Sequence, residues 1–196
     1  MTSPDRGRTR SWAAGSLALA LIACLTGAPG IAAAEQALHA EKNPPGDIPD
    51  NQVFVSYRSP FGFTLQVPEG WSRADRPDGV RFFDKYNIID IDVAQSAAAP
   101  HADSVRSREA AVLASGGHAA KIASVTDVKL RGGPAVRIVY TANSEPNPVT
   151  NKQIRLEHER FIFFKDGKTT TADFAAPQGA DNADQWRLMA NSFQWR

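Results

Sequence analysis

Few residues in this chain have the types and spacing that chemistry requires. Ser115-Gly116-Gly117-His118 brings a hydroxyl near an imidazole. A serine nucleophile needs its base within hydrogen-bond reach and an acid orienting that base. No neighbouring residue supplies the acid. Asp90 and Asp92 are next-nearest residues, so on a strand they point from one face about 7 Å apart. Paired carboxylates can share acid–base work or hold Ca²⁺, but Asp84 is the one obvious third oxygen ligand, too thin a set for that cation. The wet face of a half-buried strand fits the alternation better. In Glu157-His158-Glu159-Arg160, His158 shares a face with Leu156, Arg160 and Ile162, while Glu157 and Glu159 share the other with Phe161 and Phe163. Cross-strand ion pairing is the simpler use of that pattern than a metal site. His39 and His101 have no partner at useful spacing. Gly-x-Ser-x-Gly, His-Glu-x-x-His and Gly-x-x-x-x-Gly-Lys are all missing from the sequence. No catalytic, cofactor-binding or metal-ligating residue is therefore assigned, and no enzyme activity is expected.

Three tryptophans offer binding rather than catalysis. Trp71, Trp186 and Trp195 could line an aromatic pocket for an apolar or sugar ligand. Large aromatics more often serve burial, with Trp71 plugging a sheet corner and Trp186 joining the core. Trp186 and Trp195 stay as the candidate ligand pocket. A carrier of a small apolar molecule, held between sheet and C-terminal helix, is the corresponding function.

The elements that would position these residues are mostly strands. Residues 53–57 and 63–67 read as strands around the turn Ser59-Pro60-Phe61-Gly62, and Phe63, Leu65 and Val67 alternate with period two. Residues 80–83 and 88–93 are short strands. Residues 103–115 fit a helix with Asp103 as N-cap and Gly116-Gly117 as its stop. Two hairpins follow, turning at Gly132-Gly133 and at Asp166-Gly167. Residues 143–151 read as a polar surface loop. Residues 181–193 read as a helix capped by Asp181, with Asp184 in its first turn and Trp186, Met189 and Phe193 on one face. Many antiparallel strands with one helix inside the run and one at its end predict an α+β fold.

The N-terminus reads as an address. Arg6, Arg8 and Arg10 precede the uncharged stretch from Ala13 to Ala34, whose apolar core of 14 residues ends at Thr26 before Gly27, Pro29 and Gly30. A positive region, an apolar core and a small-residue site form a secretory signal over residues 1–34. A retained span needs about 20 apolar residues. Two processing routes stay open. Ala32 and Ala34 satisfy the small-x-small rule, which would leave Glu35 as the new N-terminus. Leu21-Ile22-Ala23-Cys24 resembles a lipobox, in which Cys24 would be acylated and would tether the domain to a membrane. Either route exports the domain, released or anchored on the outer face of a bacterial cytoplasmic membrane. Residues 35–51, with Pro44, Pro45, Gly46 and Pro49, read as a flexible tether, and residues 52–196 as a single globular domain.

Composition limits the partners. The chain has 196 residues, 22 basic and 21 acidic, and one cysteine. That near-balance argues against nucleic acid, whose partners carry a marked basic excess. A single cysteine permits no internal disulfide. The exported domain must stand on its core alone, and a domain of about 145 residues buries roughly 68–70% of its unfolded surface.

Residues 53–94 carry a family resemblance. Val55-Ser56-Tyr57, the run Phe61 to Pro68-Glu69-Gly70-Trp71, the aromatic strand Arg81-Phe82-Phe83-Asp84 and the apolar strand Asn87 to Val93 resemble the opening of PsbP-like domains. Trp186 and Ser192-Phe193 match the family's closing helix. The resemblance covers residues 53–195 in order of elements, and is specific over the first forty or so. It implies an antiparallel sheet flanked by helices, an α/β/α sandwich. The family includes the extrinsic oxygen-evolving subunit of photosystem II and many bacterial exported lipoproteins. These act mainly as non-catalytic assembly or binding modules, which implies docking to an envelope protein and no cofactor.

Overall fold

Period-two alternation and tight turns govern most of the chain, and the computed structural model, which describes residues 35–196, is correspondingly rich in sheet. Among the described residues, seven strands form one antiparallel sheet. Their order is β3 (Ser72–Arg76), β4 (Gly79–Asp84), β5 (Asn87–Gln95), β9 (Lys168–Pro177), β8 (Arg155–Lys165), β7 (Gly133–Asn143) and β6 (Lys121–Leu130). A small sheet joins β1 (Phe54–Arg58), β2 (Phe63–Pro68) and β10 (Gln194–Trp195). The helices are α1 (Ala102–Ser107), α2 (Glu109–Ser115) and α3 (Ala183–Ser192). The residues read as signal and anchor, Cys24, Ala32 and Ala34, lie outside the described residues. Within the described residues no helix is long and apolar enough to cross a membrane.

Turn chemistry sets the registers. Asp166 and Gly167 both take positive φ, 50° and 75°, so Lys165 faces Lys168 across the expected two-residue hairpin. The other hairpin differs from expectation. Leu130 faces Gly133, so Arg131-Gly132 is the loop and Gly133 starts β7. Close approach explains the choice: a Cβ on Gly132 would lie 2.4 Å from the carbonyl oxygen of Phe193. Only glycine lets the hairpin tip reach the C-terminal segment.

The helices also differ in detail. The expected helix over 103–115 breaks at Arg108, where φ is −117° and ψ −79°. Its N-cap is His101, not Asp103: His101 Nδ1 accepts from the Ser104 amide at 3.4 Å, and Ser104 Oγ accepts from the His101 amide at 3.1 Å. Asp103 lies in the first turn and pairs with Arg106 at 2.5 Å. The break turns Val112 outward, 67% exposed, while Val105 stays buried. In α3 the cap position belongs to Asn182, not Asp181. Strand β3 shows no apolar alternation because it is a solvent-exposed edge.

Two apolar layers result. On one face of the main sheet, β1–β2 and α3 bury Phe63, Leu65, Trp186, Met189 and Phe193 against Ile89, Ile91, Phe163 and Phe174. Phe193 stacks between Phe63 at 5.3 Å and Phe163 at 3.9 Å. On the opposite face α1 and α2 place Val105 and Ala110 on Val125, Val136 and Ile138. The architecture is antiparallel, sheet-rich α+β. Its helices are thinner cover than an α/β/α sandwich implies. A small sheet shares one face with α3, and α1–α2 pack on the β6–β7 end of the other.

Residues 35–51 carry no helix or strand, yet they do not hang free. Ile48 is 3% exposed and belongs to the main core. Its amide donates to Asn182 Oδ1 at 2.6 Å, and Asn182 Nδ2 donates to the Gly46 carbonyl at 2.9 Å. One apolar residue and one buried amide turn a tether-like composition into a strap.

Candidate functional site

Strand register assembles a charged row on the face shared with α1–α2. Arg81 faces Asp90, Asp90 faces Asp173, and Asp173 faces Arg160, across β4, β5, β9 and β8. Arg81 pairs with Asp90, while Arg76 reaches Asp90 and Asp92, each at 2.5 Å. The aspartate pair is therefore bound up in arginine contacts. Among the described residues no group of three or more His, Cys, Asp or Glu is placed to hold a metal ion.

Asp173 is the centre of the row. It is buried, and it accepts from Tyr140 Oη at 2.5 Å and from Arg160 Nε and Nη2 at 2.9 and 2.5 Å, all on Oδ2. His158 Nδ1 lies 3.2 Å from Oδ1. Burial alone would raise its proton affinity. His158, Arg160 and the hydrogen bonds outweigh it and hold the carboxyl well below the usual carboxylate range. Burial, then the Asp173 charge, push the Tyr140 phenol far above its ordinary value, so it stays a donor. An ionised Asp173 only accepts, so His158 Nδ1 must carry the proton it shares.

Tyr140 and His158 face each other in register, and their rings stack at 4.3 Å and 16°. Both line a cavity of about 520 Å³. Its apolar walls include Ile88, Leu156, Ala142, Leu113 and Val112. Arg81 and Lys85 stand among the lining side chains. Among the described residues, His158 Nε2 is buried and has no hydrogen-bond partner.

Beside the cavity the backbone is held in an uncommon form. His118 and Ala119 take φ of 54° and 45°, a left-handed conformation costly for alanine. Arg155, 4% exposed, stabilises it by donating to the Ala119 carbonyl at 2.9 Å, to Asn143 Oδ1 at 3.0 Å and to Thr141 Oγ1 at 2.6 Å. Burial pushes the Arg155 guanidinium below its ordinary value. Asn143 was expected in a surface loop but is buried, because it also donates to Glu35 Oε1 at 2.8 Å and to the Gln36 carbonyl at 2.9 Å. Glu35, the residue that cleavage would leave first, thus sits against a residue that lines the cavity.

The sequence candidates are scattered by comparison. Ser115 Oγ donates to the carbonyls of Ala111 and Val112 at 3.0 and 3.2 Å, a helix back-bond. His118 instead faces Glu145 at 3.3 Å and Glu35 at 3.8 Å. Trp186 is 5% exposed within the core, and Trp195 meets Phe193 edge-on at 5.1 Å. Neither lines the cavity, nor the groove of about 770 Å³ along α3 and β2. Met189, Phe193 and Phe63 are buried in the same core cluster as Trp186. Tyr140 and Asp173 were not anticipated. A lone acid inside the apolar run Ala172 to Ala176 was the available signal.

No protein-family model matches this chain. No curated protein matches it either. Solved structures do. Cyanobacterial PsbP (CyanoP) from Synechocystis sp. PCC 6803 superposes with a TM-score of 0.55 at 16% identity, covering 77% of this chain and 98% of that one. The chain has a PsbP-like fold. A protein from Bacteroides thetaiotaomicron VPI-5482 matches with a TM-score of 0.48 at 12% identity, over 72% of this chain and 48% of its own. In this PsbP-like domain the cavity and charged row lie on the face opposite β1–β2, where the sequence resemblance begins.

Proposed function

We propose that this protein is an exported, non-enzymatic binding or assembly module that docks to a protein of the bacterial cell envelope. The PsbP-like fold carries the reading, since it spans nearly the whole of the CyanoP chain. Two features support it. Residues 1–34 have the order of an export signal. The strongest titratable cluster, around Asp173, is tied into internal hydrogen bonds rather than poised for proton transfer.

The domain works outside the cytoplasm, on the outer face of the membrane. Cleavage after Ala34 releases it with Glu35 first, or acylation of Cys24 tethers it. Intact mass spectrometry of protein extracted gently from its own envelope distinguishes these. A mass beginning at Glu35 establishes release; one beginning at Cys24 with acyl chains establishes the anchor. Docking is tested by photo-cross-linking in intact cells from the exposed positions Val53, Leu188 and Val149. One reproducible envelope partner is the expected result. Adducts with no partner enriched over an unrelated exported domain would overturn the reading.

A further inference from the structure

We propose that the cavity lined by Tyr140 and His158 binds a small amphipathic molecule, an apolar body carrying one hydroxyl that donates to His158 Nε2. The site lies away from the tryptophans, and the inference goes beyond partner docking, which needs no ligand.

Three observations carry it. At about 520 Å³ the cavity falls within the usual range for small-molecule sites. Its walls are mostly apolar, from Ile88 and Leu156 on the strands to Val112 and Leu113 on α2, with Arg81, Lys85 and Glu145 also in the lining. Two ring nitrogens of this lining, His158 Nε2 and His118 Nδ1, are buried without a hydrogen-bond partner among the described residues, and His118 Nδ1 faces the Glu35 carboxylate at 3.8 Å. Buried polar atoms in folded proteins are overwhelmingly bonded, so an orphan in a cavity wall asks for a ligand group.

The chemistry of that group follows from the other side of the ring. His158 Nδ1 carries the proton shared with ionised Asp173 at 3.2 Å. Arg160 already balances the single Asp173 charge with two hydrogen bonds. A ring whose one proton sits on Nδ1 presents a lone pair at Nε2. It accepts, and its ligand donates. Tyr140, stacked on the ring and bonded to the same carboxylate, holds it in place. The acceptor is fixed before any ligand arrives, the arrangement that rewards a matching donor most.

The test uses protein with its native processed N-terminus and three probes: 4-butylphenol, butylbenzene and 4-butylbenzoate. Binding is followed by NMR of the Ile88 and Leu156 methyl groups and the His158 ring nitrogens. The expected result is saturable binding of 4-butylphenol at these resonances, with butylbenzene at least about tenfold weaker, since a built acceptor rejects an analogue lacking the donor. In His158→Phe the two probes should bind alike. Equal binding of both probes to the unaltered protein overturns the proposal, as does no saturable shift. Tighter binding of 4-butylbenzoate overturns it too, because a carboxylate cannot donate to Nε2 and its anchor would then be a cation such as Arg81, Lys85 or a charged ring. Should His158→Phe fail to fold, the three probes on the unaltered protein decide the matter. Loss of the ligand leaves the cross-linking test of docking unaffected.

Discussion

Tyr140 on β7 reaches over the intervening strand β8 to bond Asp173 on β9 at 2.5 Å. The reach ties three strands through one carboxylate, since Arg160 and His158 of β8 bond the same group. A single buried charge thereby links side chains of three neighbouring strands at the sheet's centre.

Asp173 gives the protein an acid-sensitive core. Its folded proton affinity is depressed, so its contribution is present in full above the unfolded value, about 3.9, and is lost as pH falls below it. Denaturant midpoints measured between pH 6 and pH 2.5 should fall most steeply at the acid end. Asp173→Asn should flatten that fall while costing about 3–5 kcal/mol near neutrality, because Arg160 loses its buried partner. An unchanged acid limb in the variant would remove Asp173 from the account.

Surface pairs should behave otherwise. Arg73 and Asp75 pair at 2.7 Å with both side chains largely exposed. A double-mutant cycle to alanine should give a coupling below about 1 kcal/mol, shrinking further in salt. A coupling near that of the Asp173 cluster would contradict the burial argument.

Gly79 admits no side chain. A Cβ there would lie 2.0 Å from the Ile91 carbonyl oxygen on the neighbouring strand. Gly79→Ala should lower stability by about 3 kcal/mol or more, read as a drop in Tm, through forced separation of β4 and β5. Gly70→Ala meets open space, though its φ of 85° still strains alanine, and should cost less.

Asn182 holds the strap. Asn182→Ala leaves the Ile48 amide and the Gly46 carbonyl without their partner, at about 1–3 kcal/mol. Limited proteolysis should then cut between residues 42 and 51 faster than in the unaltered protein. Equal cutting rates would mean that Ile48 burial alone anchors the segment.

Much of this was legible in the sequence. Asp166-Gly167 fixed the β8–β9 register, and that register already sets Arg160 opposite Asp173. That Trp186, Met189 and Phe193 turn inward could be read from spacing, and all three are buried, although α3 ends at Ser192 and Phe193 follows it in extended form. The Gly132-Gly133 loop could not be placed, because what selects Arg131-Gly132 is the distant Phe193 carbonyl. Helix continuity through Arg108 was equally out of reach. Propensity over 103–115 is uninterrupted, and the break serves tertiary packing of Val105 and Ala110. The cavity was hidden for a similar reason. Tyr140 and Asp173 are 33 residues apart and meet only after β8 has paired with both neighbours.

The rims of the main sheet have a consequence for crowding. One rim, β3, is the charged and exposed Ser72–Arg76; the other, β6, carries Lys121, Asp127 and Lys129 and shifts register between Ile122 and Ser124. Open backbone edges invite copies to zip together, and charge and a bulge each spoil the template. Molecules gathered densely at one surface would stay separate colloidal particles, unable to extend one another's sheets into a fibre.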